Sequence, residues 1–281
     1  MDVKNETDLA QILATRYDNG ADFWTTPDGR LGIEKPISNL TALMIMSELK
    51  VPGDHEALQG AAELVLTAIK EDGRVRIAPK GAIYPCHTAH AVAGLCRNGY
   101  ADDPRVQSAL NYLLSNRHED GGWRCNKFLF GHGPETDFSN PGVTLLALDA
   151  FRLAGCHTGE YGMSDLDRAV ETLLDHWTVR KPIGPCHYGM GTLFMQVEYP
   201  FLRYNLFYYV YVLSFYKKAR KDERFKEALT ALSKKLDDQK MMIVERPNRK
   251  LGNLNICRKG KPSAAATERY LEIIDNLAEM D

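Results

Sequence analysis

One tight turn recurs along this chain and constrains everything between its copies. Asp28-Gly29-Arg30 returns as Asp72-Gly73-Arg74 and again as Asp120-Gly121-Gly122-Trp123, at steps of 44 and 48 residues. The stretches between read as helix pairs of about forty residues, and repeats of that period stack hairpins on a shared core. The expected fold class is all-α, as a single domain over 1–281.

Apolar spacing supports the helices one by one. Asn39 to Val51 carries Leu40, Leu43, Met44, Met46 and Leu49, and Asp54 to Lys70 carries Leu58, Ala61, Leu64, Val65 and Ile69. Both follow helical spacing. The same pairing recurs at 88–98 with 103–116, at 142–154 with 164–177, and at 204–218 with 222–236. Asp102-Asp103-Pro104 and Ser164-Asp165 carry N-cap chemistry, and Gly99 and Gly155 stand where a helix C-terminus takes a left-handed residue. Two helices remain unpaired, 6–17 and 263–280, and their simplest use is to pair with each other and close a ring. Alternating patterns that would argue for strands are nearly absent.

Composition narrows the function classes. The chain is 44% hydrophobic and 26% charged with a formal net charge of −2, which implies no nucleic-acid partner. The N-terminal residues lack a basic segment followed by an apolar one, and the most apolar aromatic stretch, Leu206 to Tyr216, is too short to span a bilayer. The expectation is a cytoplasmic protein. Six cysteines in a chain this long do not make a dense disulfide framework, and Cys86 and Cys186 each precede a histidine in a Pro-Cys-His triplet. Reduced thiols available to a metal are the expectation.

His118 to Cys125, Tyr84-Pro-Cys-His-Thr-Ala-His90, and Arg258 to Ser263 before the last helix together resemble the prenyltransferase and squalene-cyclase repeat superfamily. The resemblance runs from Asp28 onward and is closest to short stand-alone bacterial members. It implies an α/α toroid of inner and outer helices whose central cavity is reached by the loops leading into the inner helices, with Trp123 stacking between repeats. Backbone N–H groups at those helix starts favour anions and metal-bound carboxylates. Three such segments stand out: 84–90, 134–141 and 184–188. Together they offer Cys86, His87, His90, Glu135, Asp137, Cys186 and His187.

Thiolate, imidazole and carboxylate are zinc ligand types, and an open fourth position makes a zinc catalytic. His87-Thr88-Ala89 followed by Gly94-Leu95 is similar to the segment that supplies the zinc histidine in protein prenyltransferase β-subunits. Asn126-Lys127 and then Asp137 resemble the segment that supplies their aspartate. Those enzymes carry a cysteine two residues later, where this chain has Ser139, so Cys86 or Cys186 would take its place beside His87, Asp137 and His187. The leading expectation is a metal-assisted enzyme acting on a small apolar or isoprenoid-like substrate, the zinc activating a thiol, water or carbonyl. A second is a metal-free cyclase: Glu135-Thr-Asp137-Phe138 partly resembles the Asp-x-Asp-Asp acid of class II terpene cyclases, with Asp137 as the proton donor. A third is a non-catalytic toroid that holds a lipid or partner. Protein prenyltransferases work with a partner α-subunit, so a protein partner or homo-oligomer belongs to the expectation.

The aromatic run Tyr199 to Tyr211 offers Tyr199, Arg203, Tyr204, Phe207 and Tyr208 as substrate-binding residues, suited to an isoprenoid chain or carbocation if they face a cavity and to a plain core if they do not. Arg203 in that run wants an anionic partner. Basic residues gather at Arg246, Arg249, Lys250, Arg258, Lys259 and Lys261, where they would clamp an acidic substrate or form a solvated loop.

Overall fold

The computed structural model describes residues 3–32, 37–124, 137–156, 163–184, 186 and 188–278. Among the described residues it is mostly helical, with eleven helices and one two-stranded antiparallel pair. The chain divides into two compact units, 1–116 and 117–281. The first holds α1 (Val3–Leu13), α2 (Asn39–Glu48), α3 (Glu56–Thr67), α4 (Pro85–Arg97) and α5 (Pro104–Ser115). The second holds α6 (Pro141–Leu153), α7 (Met163–Val179), α8 (Leu206–Leu213), α9 (Lys217–Arg220), α10 (Glu223–Ser233) and α11 (Ala264–Ala278), with β1 (Ile243–Val244) paired to β2 (Lys261–Pro262).

Each hairpin joins a buried helix to an amphipathic one. Every residue of α2 except Ser47 is buried, as are all eight of α8. By contrast α10 buries only Phe225, Ala228 and Leu232, and α5 buries Val106, Ala109, Leu110 and Leu113, the single stripe of a surface helix. In the first unit α2 packs on α3 and α4, and α4 on α5; in the second α6 packs on α7, and α8 on α10 and α11.

Helix boundaries follow local chemistry. Asp103, Asn140, Asn205 and Asp222 cap α5, α6, α8 and α10 through side-chain oxygens that accept backbone N–H groups. The α4 helix starts three residues before the spacing predicts, because Pro85 at its first position has no N–H to satisfy. Cys86 and His87 therefore sit in a helical first turn. At the N-terminus the expected helix 6–17 ends at Leu13, and the residues beyond it fold into a loop in which Trp24 N–H returns to the Arg16 carbonyl. The expected helix 204–218 is broken after Leu213. Ser214 Oγ donates to the Tyr211 carbonyl at 2.7 Å and accepts Asn276 Nδ2 of α11 at 2.9 Å, a side chain competing for helix backbone.

The repeated turn has one geometry and, among the described residues, four copies. Its first residue donates N–H to the carbonyl four residues on, in Thr26 to Arg30, Lys70 to Arg74, His118 to Gly122 and Asp237 to Met241. The fourth residue of each returns its N–H to the first carbonyl, with positive φ at Gly29, Gly73, Gly121 and Lys240. Lys240 hides the fourth copy from the sequence, since an L side chain in that region costs about 1–2 kcal/mol. In three copies the next N–H but one is taken by a buried threonine of the following helix: Val75 by Thr88 Oγ1 and Trp123 by Thr144 Oγ1, both at 3.1 Å, and Met242 by Thr267 Oγ1 at 2.9 Å. One clasp thus fixes α4, α6 and α11 to their turns.

Candidate functional site

The third turn departs from the first two. In those, the aspartate binds the arginine two residues on, Asp28 to Arg30 Nε at 2.8 Å and Asp72 to Arg74 Nε at 2.7 Å, in exposed pairs. The third copy has Gly122 in place of the arginine, and Asp120 turns inward. Its Oδ1 accepts Ser139 Oγ at 2.5 Å and Gly122 N–H at 3.2 Å, while Oδ2 accepts Ser139 N–H at 2.7 Å. A Cβ at Gly122 would lie 2.6 Å from Thr144 Oγ1 and 2.7 Å from Ser139 Cβ, so glycine is what lets the segment before α6 come this close. Burial pushes the Asp120 carboxyl up, but the Ser139 and Gly122 hydrogen bonds and neighbouring His118 outweigh it and hold the group below its ordinary range.

Asp120 heads a string of ionisable groups. His118 Nδ1 lies 3.2 Å from Asp120 Oδ1, its Nε2 lies 3.5 Å from Asp137 Oδ1, and Arg124 Nη1 reaches the same Asp137 oxygen at 3.0 Å. An imidazole thus stands between a fixed, inward carboxylate and one whose side chain is 69% exposed. Two carboxylates and an imidazole are the group types a proton relay needs, here with His118 Nε2 3.5 Å from Asp137 and Nδ1 without a hydrogen bond.

An apolar cleft of about 540 Å³ adjoins this string. Asp120 and Phe138 form part of it, with Thr172, His176 and Val179 of α7 and the Pro182-Ile183 segment, and the charged side chains of Arg168, Glu171, Asp175 and Lys181 also line it. Phe138 and Val179 are exposed, the arrangement of an apolar wall open to a ligand. His176, 1% exposed, pins the wall from beneath. The Lys181 carbonyl at 3.1 Å accepts from Nε2–H, which leaves Nδ1 to accept the Tyr204 hydroxyl at 2.9 Å. Burial pushes this imidazole below its ordinary 6.5, against the raising effect of backbone groups at Lys181 and Tyr188. His176 therefore stays neutral in the fold while the unfolded chain takes up a proton. Its contribution to stability is complete above about pH 6.5 and declines as pH falls through the interval down to its folded value. Urea denaturation across that range should show the decline, and His176→Gln should remove this component.

The residues singled out in the sequence fall into separate places. Cys86 and His87 belong to the first unit, half-buried at the start of α4, with the His87 ring edge-on to Tyr84 at 5.2 Å. Asp137 and Cys186 belong to the second. Gly184, whose Cβ would lie 2.8 Å from the Ser139 carbonyl, and Tyr188, packed on Gly142, bring the Cys186 segment onto the start of α6, beside the segment that carries Asp137. Glu135 and His187 lie outside the described residues. Tyr199, Phe207 and Tyr208 are buried, with the Tyr208 hydroxyl donating to Asp149 Oδ2 at 2.8 Å, and none of them lines the cleft. Tyr204 stacks on His176, and Arg203 faces Glu198 with Nε to Oε1 at 3.6 Å. Trp123 is fully buried and stacked on Phe151. His118 and Asp120 were absent from the sequence candidates; the signal was Gly122, which among the three Asp-Gly turns replaces the arginine of the first two.

Among the described residues no group of three or more His, Cys, Asp or Glu side chains is placed to hold a metal ion, and no helix is long and apolar enough to cross a membrane. Searches against protein-family models and against curated proteins match the chain to neither.

Proposed function

We propose that this chain is an enzyme of the prenyltransferase and squalene-cyclase repeat type, its hairpins closing as an α/α toroid, and that it works by proton transfer on a small apolar, isoprenoid-like molecule. The observation that carries the reading is the redirected third turn: Asp120, His118 and Asp137 in sequence beside an apolar cleft. The body of the ligand lies against Phe138, Val179 and Ile183, and Asp137, the accessible acid, exchanges a proton with it. His118, with Nε2 3.5 Å from Asp137, resupplies it, and Asp120 stands 3.2 Å from the other ring nitrogen, which makes no hydrogen bond. Arg124 balances the charge that remains on Asp137 after transfer.

Incubation with isoprenoid alcohols and acids in heavy water tests this directly. The wild-type protein should place deuterium on carbon in the recovered compound. Asp137→Asn and His118→Gln should each lower that rate by about a hundredfold or more with ligand binding retained. Equal rates in the variants would remove these two residues from the chemistry.

Zinc is the second reading of the same sequence segments; it is supported by their thiolate, imidazole and carboxylate ligand types and by the packing of the Cys186 segment beside the segment that carries Asp137. When bound, zinc supplies Lewis-acid activation of water, a thiol or a carbonyl. Elemental mass spectrometry on protein purified without chelator decides it. Near one zinc per chain, lost in His87→Ala and Cys186→Ala, establishes the metal; protein that fails to take up added zinc excludes it.

A further inference from the structure

The acids that line the cleft beside α7 already have partners. Glu171 is held by Lys218 Nζ and Arg224 Nη2, both at 2.6 Å, and Asp175 by Arg224 Nη1 at 2.7 Å. Both Asp120 oxygens are taken by Ser139 and Gly122. The lining cations differ from one another. Arg168 stands against the third turn, where its guanidinium donates to the Glu119 carbonyl and its Cβ lies 2.5 Å from where a Cβ on Gly121 would stand. It shares that end of the cleft with the Asp120 carboxylate. Lys181 lines the opposite end, two residues past the last residue of α7, and among the described residues its exposed ammonium makes no hydrogen bond or ion pair.

A helix C-terminus repels an anion through its free carbonyls, and at this end of α7 they are occupied. The His176 carbonyl accepts Arg180 N–H at 2.8 Å, that of Trp177 accepts Arg180 Nε at 3.2 Å, and that of Val179 accepts Lys181 N–H at 2.7 Å. The Lys181 carbonyl is itself taken by His176 Nε2. Arg180 lies over the Trp177 ring at 4.6 Å and lines a separate groove against α10. Lys181 is thus the cation that this end of the cleft presents to a ligand.

We infer that the cleft takes an apolar ligand by a carboxylate head seated on Lys181, with the chain laid along α7 toward Phe138 and Asp120. The inference rests on the reading of the cleft as a site for a small apolar molecule, and it adds the head group and the direction of the chain. One ammonium answers one negative charge, whereas a phosphate monoester brings a second that no cation here meets. Thr172 donates to the Asp120 carbonyl at 2.8 Å and so marks the third turn on α7. From Thr172 to Val179 the helix rises about 10 Å, a span that a geranyl chain covers. The head is therefore held away from the third turn, and the far end of the chain meets it.

Geranate and geraniol share one chain and differ in the head, so titration of the full chain with each at low ionic strength, followed by amide NMR, tests the inference. Geranate should bind about tenfold tighter than geraniol, with saturable shifts at Val179 and Ile183. Lys181→Gln should bring the two affinities together without weakening geraniol, and Arg168→Gln should keep the preference. Lys181 holds His176 through its main-chain carbonyl, so the substitution leaves that bond in place. The far-ultraviolet spectrum and urea midpoint of each variant establish that it is folded. Equal affinities in the wild type, or a preference that survives Lys181→Gln, would overturn this inference alone and leave the cleft as an apolar site. Shifts at the cleft residues with neither compound would overturn it together with the apolar-ligand reading. Geranyl monophosphate binding more tightly than geranate would overturn the carboxylate assignment.

Discussion

Glu48→Ala is expected to lower the unfolding free energy by about 3–5 kcal/mol. Glu48 on α2 accepts Arg97 Nη1 of α4 at 2.7 Å, with the two side chains 1% and 3% exposed. Removing the carboxylate leaves a guanidinium in the packed interface between two buried helices, where water cannot reach it. The loss is the cost of leaving that buried guanidinium without its Glu48 carboxylate rather than the net worth of the pair. Replacing both partners with methionine should therefore recover most of it, since an apolar pair of similar volume avoids desolvation altogether. Urea denaturation of the two variants makes the comparison. A loss under about 1 kcal/mol in Glu48→Ala would mean that the pair behaves as an exposed one.

The second large effect separates backbone conformation from packing. Gly29 and Gly121 have φ of +79° and +97° at the same place in their turns. A Cβ on Gly29 meets nothing within 4 Å, whereas one on Gly121 would lie 2.5 Å from Arg168 Cβ and 2.9 Å from its carbonyl carbon. Gly29→Ala should cost only the left-handed penalty, about 1–2 kcal/mol. Gly121→Ala adds overpacking against the backbone of α7, for a total of about 3–5 kcal/mol. It would also push the third turn off α7, which forms the other wall of the cleft. Thermal and urea unfolding of the two variants should differ by about 2 kcal/mol, and equal losses would place the turn away from α7.

The hairpins were legible because each paired helix shows its apolar spacing and each of three turns shows Asp-Gly. The fourth turn was not, because Lys240 adopts the conformation that glycine signals elsewhere. The run 204–218 reads as one helix by spacing, yet Ser214 and Asn276 break it through a contact 62 residues apart that no local pattern contains. In the same run, all-round apolarity cannot distinguish a cavity wall from a core, and the structure places Phe207 and Tyr208 in the core. Asp137 was found as an acid near a helix start. His118 was visible only as part of a motif, because its partners on either side, Asp120 and Asp137, lie two and nineteen residues away in the chain.

Amide NMR spectra of the isotope-labelled chain during titration with farnesol test the central claim most directly, that the redirected third turn borders a site for a small apolar molecule. Saturable shifts concentrated at Phe138, Thr172, Val179 and Ile183, with the His118 and Asp120 signals moving in step, are the predicted result. Shifts absent from these residues, or saturable shifts confined to other parts of the chain, would contradict it.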